Sequence, residues 1–160
     1  VQGYDSACYY RYARIDWDQL VKNLDGDVDL ARRAVDGLMQ ASVRAVPSGK
    51  QNSTAAFNPP SLALVVVRRD GMAWSLANAF ERPVPADREG GYVRPSIEAL
   101  DAYWGGLCQV YGEETLLSVA AFRCGAPEAE LPNLGGRCMA SEAAWRAAAL
   151  AALPAKEGTA

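Results

Sequence analysis

The chain has 160 residues, half of them apolar, which fits one domain able to bury well over half of its unfolded surface and excludes a disordered polymer. Histidine is absent, so Ser-His-Asp or Cys-His catalysis within the chain and the usual histidine-bearing zinc sites are excluded. The formal charge of −3 argues at first against nucleic acid, yet Arg44 to Arg94 holds seven basic residues against four acids, a local surplus of +3 that leaves −6 elsewhere.

Val1 rather than methionine opens the chain, and strand-like sequence follows almost at once, a pattern expected of a fragment. ACYYRYARID, Ala7 to Asp16, alternates Cys8, Tyr10 and Tyr12 with Tyr9, Arg11 and Ala13 and predicts a strand. Asp16 and Gln19 have capping-box spacing ahead of a short helix, WDQLVKNL, that stops near Asp25-Gly26. A second helix starts at Asp27 or Asp29 and runs to about Val46, where Pro47 closes it.

After a polar loop, SLALVVVRR from Ser61 to Arg69 is continuously apolar, as in a strand covered on both faces. Asp70-Gly71 signals a hairpin, with Met72 to Ala77 as the return strand. Asn78 to Pro95 is irregular. The stripe of Ile97, Leu100, Trp104, Leu107, Cys108 and Tyr111 predicts a helix over Ser96 to Tyr111. Thr115 to Phe122 reads as another strand, and Ser141 to Leu153 as a last helix. The order predicts an α+β fold of the ferredoxin-like or RNA-recognition type: an antiparallel-rich sheet with helices on one face. It forms one domain over residues 1–160, with 154–160 a frayed tail.

Several chemistry-bearing patterns fail on inspection. PSGKQNS has Arg44 where a phosphate-binding P-loop needs glycine and Gln51 where it needs Ser or Thr, and it leads from helix to strand rather than the reverse. LDGDVD lacks the glycine and the glutamate of a calcium loop, and helix capping explains its aspartates. Cys8, Cys108, Cys124 and Cys138 form no C-x-x-C pair and read as buried free thiols of a reducing cytoplasm. There is no signal peptide and no apolar run of membrane length, so no membrane partner is expected. No catalytic residue, metal ligand or cofactor is expected. Tyr9, Tyr10 and Tyr12 read as core more readily than as a stacking platform.

The loop from Pro47 to Pro60 offers a different chemistry. Gly49 allows a turn, Lys50 can neutralise a phosphate, and Gln51, Asn52 and Ser53 can donate to phosphate or ribose oxygens without reading bases. The plain alternative is a polar loop that only keeps the chain soluble. Phe57 and Phe80 are expected to pack beneath the loops.

The ordered blocks YYRYARIDWDQLVKNLDGD, VPSGKQNSTAAFNPPSLALVVV, SLANAFERPV and RPSIEALDAYW resemble CasC, the backbone subunit of the type I-E CRISPR Cascade complex, over about Tyr4 to Gly112. The resemblance is to the C-terminal half of a chain more than twice as long. It implies an RNA-recognition-like palm without catalytic activity, cytoplasmic, holding CRISPR RNA by its sugar-phosphate backbone for antiviral defence. The partners the resemblance implies are CRISPR RNA, target DNA through the guide, copies of the chain itself and other Cascade subunits. The RNA-binding residues implied are Gly49, Lys50, Gln51, Asn52 and Ser53, with Arg88 the only cation of PVPADREGGYV. A protein-binding scaffold domain that touches no RNA is the first alternative, and an enzyme the second.

Overall fold

Oxygen-bearing side chains start the helices where the sequence marks them. Asp16 accepts a hydrogen bond from the Gln19 N–H, Asp27 from that of Leu30 and Ser141 from that of Ala144, each satisfying a backbone donor that the first turn leaves open. In the computed structural model, which describes residues 7–45 and 57–155, these caps open α1 (Trp17–Asn23), α2 (Val28–Arg44) and the last helix, α4 (Glu142–Ala151). Asp25 and Gly26 adopt positive φ after α1, and the Gly26 N–H returns to the Val21 carbonyl, so the predicted stop is found. Helix α3 (Val93–Tyr111) starts before the expected Ser96, because Pro95 falls in its first turn, where its missing N–H costs nothing.

Strands β1 (Leu62–Arg68) and β2 (Leu116–Arg123) pair antiparallel, with Leu64 opposite Ala121 and Val66 opposite Val119. Successive side chains point to opposite faces of a strand, and the two faces carry two cores. Ala63, Val65, Val67, Ala120 and Phe122 meet α2 and α4 through Val35, Met39, Val43, Trp145 and Ala149. Leu62, Leu64, Val66 and Val119 meet α3 through Leu100 and Trp104, with Leu76 and Leu134 completing that side. Burying a large apolar side chain stabilises by about 1.5–3 kcal/mol, so Trp104 and Leu134, both essentially inaccessible, are principal anchors. The expected α+β class is found. Its helices cover both faces rather than one, as the continuous apolar run of β1 requires.

Two expected strands do not form. Residues 7–16 have no ladder partner among the described residues. Side chains hold the segment instead: Arg11 donates to the Ser42 and Ala45 carbonyls at the end of α2, and the Tyr10 hydroxyl accepts the Leu76 N–H at 2.9 Å. Tyr9 is 81% exposed, so the aromatic alternation does not mark a core strand. Met72 to Ala77 does not return beside β1. The Asp70 carboxylate takes both Arg68 and the Met72 N–H, and Trp74 packs edge-on against Trp104, which draws the chain over the α3 face.

The far end of the chain is tied to α2. Arg32 donates to the carbonyl of Leu150 in the last turn of α4 and to those of Leu153 and Pro154 beyond its close, so Pro154 is anchored and not frayed; residues 156–160 lie outside the described residues. Arg146 of α4 pairs with Asp36 of α2.

Candidate nucleic-acid interface

The sequence placed its anion-facing chemistry between the end of α2 and the start of β1. Gly49, Lys50, Gln51, Asn52 and Ser53 lie outside the described residues. What surrounds that stretch is defined: Arg44, at the end of α2, pairs with Glu142 at 3.1 Å, and Phe57 on the strand side is exposed rather than packed. Phe80 does pack, against Tyr10 and the α3-side core.

Arg88, the remaining predicted contact, sits on a tight turn. The Asp87 N–H donates to the Gly91 carbonyl and the Gly90 N–H to the Asp87 carbonyl, while Gly90 and Gly91 take positive φ that a side chain would oppose. Arg94, in the first turn of α3, grips the Asp87 carboxylate with two guanidinium nitrogens, one at 2.6 Å. Hydrogen bonding from Arg94 holds the Asp87 carboxyl below the usual carboxylate range, and the N–H groups of Arg88 and Glu89 add to the effect against the opposing cost of burial. The latch is fixed at its base, and Arg88 projects from it exposed.

Sorting the basic middle third by partner sharpens its charge. Arg44, Arg68 and Arg94 are neutralised by Glu142, Asp70 and Asp87. Arg69, Arg82 and Arg88 are exposed and have no ion pair among the described residues. Exposed cations without carboxylate partners are the ones available to phosphate.

Arg68 was not singled out by sequence. Its guanidinium lies 4.0 Å from the Trp74 ring centroid and forks onto Asp70 at 2.9 and 2.7 Å, with Thr115 adding a contact at 3.1 Å. Arg68 thereby holds the Asp70 carboxyl far below its ordinary value. The motif R-R-D-G carried the signal, since a side chain at the strand end can reach back from two residues before Asp70. Beside it, Met72, Trp74, Tyr103, Leu107 and Tyr111 line an open groove of roughly 320 Å³ with Val110 exposed nearby on α3.

The cysteines are free thiols, but Cys8 and Cys124 are exposed and Cys108 and Cys138 half-buried, which corrects the expectation that all are buried. Desolvation, with Glu113 nearby, pushes the Cys108 thiol up, away from the nucleophilic thiolate. The one buried carboxylate among the described residues, Asp101, is occupied by Asn133 and Leu134 and is structural. No group of three metal-ligating side chains occurs among the described residues, and none of their helices is long and apolar enough to cross a membrane.

The family model described as CT1975-like protein matches residues 1–144. No curated protein matches the chain. Among solved structures, it is similar to a chain of a CRISPR RNA-guided surveillance complex, at 32% identity and a TM-score of 0.76, over 86% of this chain and 50% of that one. A chain of a CRISPR RNA-guided surveillance complex in a pre-nicking state is similar at 30% identity and a TM-score of 0.72, over 87% of this chain and 36% of that one. The present chain therefore spans about half the length of the first and about a third of the second.

Proposed function

The chain belongs to the CT1975-like protein family, and from that premise we propose that it is a non-catalytic, CRISPR RNA-binding backbone subunit of a Cascade-type surveillance complex in the cytoplasm. The single observation that carries the reading is its fold-level and sequence-level likeness to chains of CRISPR RNA-guided surveillance complexes. The type I-E CasC assignment rests on the sequence blocks described above. In this reading the domain is part of an RNA-recognition-like palm that holds the guide by phosphate and ribose. Base pairing between guide and target DNA then supplies sequence specificity. Lys50 with Gln51, Asn52, Ser53 and Gly49, together with Arg88, forms the contact set.

Chemistry supports a backbone holder over a base reader. Lysine and exposed arginines neutralise phosphate, whereas letter-specific recognition needs bidentate readers aimed at base edges. The test is binding of the protein to single-stranded RNAs of several sequences across a salt series. The expected result is similar affinity for each sequence with a steep salt dependence. Strong preference for one sequence, or binding insensitive to salt, overturns the proposal.

One observation favours a second reading, a scaffold that docks proteins and touches no RNA: the apolar groove at Trp74 and Tyr111, flanked by exposed Met72 and Val110. RNA cross-links at Lys50 or Arg88 decide for the first reading, and their absence from this chain in an assembled particle decides for the second.

A further inference from the structure

Asp87 uses every polar group it has to fix the turn that carries Arg88. Its N–H donates to the Gly91 carbonyl and its own carbonyl accepts the Gly90 N–H, both at 2.9 Å. Its carboxylate accepts the Arg88 N–H at 2.6 Å and takes two guanidinium nitrogens of Arg94 besides. Arg94 is held from its other side as well, since Glu98 stands one helical turn further along α3 at 3.9 Å.

The segment leading into this turn, residues 83–87, forms neither helix nor strand, and Arg88 to Gly91 are exposed while Asp87 is half-buried. An arginine on such a segment would ordinarily sample many positions, and binding would have to order its backbone as well as its side chain. The Asp87 ties remove the backbone part of that ordering before any ligand arrives. Arg94 adds a second effect. By occupying the Asp87 carboxylate, it leaves the neighbouring Arg88 guanidinium without an ion pair among the described residues, so the charge of Arg88 stays available to an anion.

The close of the turn needs glycine for its backbone alone. Gly91 takes a φ of 99°, and a Cβ there would meet nothing within 4 Å. Alanine at this position would therefore disturb the turn with no clash and no change of charge.

We infer that Asp87 and Arg94 are positioning residues for RNA: they hold the Arg88 turn in one shape and keep the Asp87 carboxylate off the Arg88 guanidinium. The inference rests on the contact set proposed above and adds to it two residues that act through Arg88.

The test is binding of a mixed-sequence single-stranded RNA to the protein across a salt series, with Gly91→Ala, Asp87→Ala, Arg88→Ala and the combined Gly91→Ala and Arg88→Ala variant. Positioning alters affinity but not the number of phosphates neutralised, so Gly91→Ala is expected to weaken binding about fivefold at every salt concentration with an unchanged salt slope. Arg88→Ala is expected to weaken binding and lower the slope by roughly one ion. The combined variant is expected to match Arg88→Ala, because a turn without its cation has nothing left to position. Asp87→Ala removes a negative charge that repels RNA, yet is expected to weaken binding as Gly91→Ala does.

Undiminished binding by Gly91→Ala and Asp87→Ala beside a weakened Arg88→Ala overturns the inference and leaves Arg88 as a contact, and additive losses in the combined variant overturn it too. No loss from Arg88→Ala, or no binding by the unsubstituted protein, removes the contact itself and the inference with it. If Gly91→Ala fails to fold by circular dichroism, Asp87→Ala decides by sign: weaker binding supports positioning, and equal or tighter binding overturns it.

Discussion

The Asp101 carboxylate in α3 accepts the backbone N–H of Leu134 at 2.7 Å, joining a helix to a loop well downstream in sequence. Its other oxygen takes the Asn133 side chain at 2.8 Å and the Asn133 N–H at 3.2 Å, and the residue is only 1% exposed. A buried donor stripped of its partner costs about 1–3 kcal/mol. Asp101→Ala orphans two backbone donors and is expected to lower stability by about 3 kcal/mol. Asp101→Asn keeps an accepting oxygen and should cost less. Urea unfolding at constant slope measures both, and equal losses for the two variants would refute the assignment.

Gly105 and Gly106 are neighbours in α3 with opposite environments. A Cβ on Gly105 would run into the Asn133 amide that Asp101 holds in place, whereas one on Gly106 meets nothing within 4 Å. Alanine inside a helix is better than glycine by roughly 0.5–1 kcal/mol when space allows. Gly106→Ala is therefore expected to raise the thermal midpoint and Gly105→Ala to lower it. Two changes of the same sign would contradict the packing described.

The helices were legible because their signals are local. Asp16, Asp27 and Ser141 cap where their types predict, and the Leu100/Trp104 stripe is helical and buried. Strands were harder, because pairing is settled between distant segments. Ala7 to Asp16 has the composition of a strand but no ladder partner among the described residues, and Met72 to Ala77 was drawn onto α3 by Trp74. The site was legible in part. Composition located the basic third of the chain, but only coordinates show that Arg44, Arg68 and Arg94 spend their charge on carboxylates while Arg69, Arg82 and Arg88 do not.

The Asp87–Arg94 latch carries a pH signature. Asp87 has its carboxyl lowered from the ordinary value of 3.8. A group with a depressed folded value contributes stability that is full above its unfolded value and fades as pH falls through the folded one. The turn at Gly90 and Gly91 is therefore expected to stay closed below the pH at which a free aspartate protonates, and to open in stronger acid. The amide shifts of those glycines follow the transition. A midpoint at or above 3.8 would count against the latch, and Asp87→Asn should remove the transition.

Lys50 and Arg88 are separated in sequence but assigned the same task, so their substitutions should behave alike. Each neutralised phosphate contributes about one released counterion to the salt dependence of binding to single-stranded nucleic acid. Lys50→Ala and Arg88→Ala are each expected to weaken RNA binding equally for all sequences and to reduce the salt slope by roughly one ion. Arg44→Ala is the contrast, because its guanidinium is held by Glu142 at 3.1 Å and has less charge to offer an anion. If all three substitutions lower the slope to the same degree, ion pairing does not sort the arginines. If Lys50→Ala and Arg88→Ala leave it unchanged, the contact set proposed for the guide is wrong.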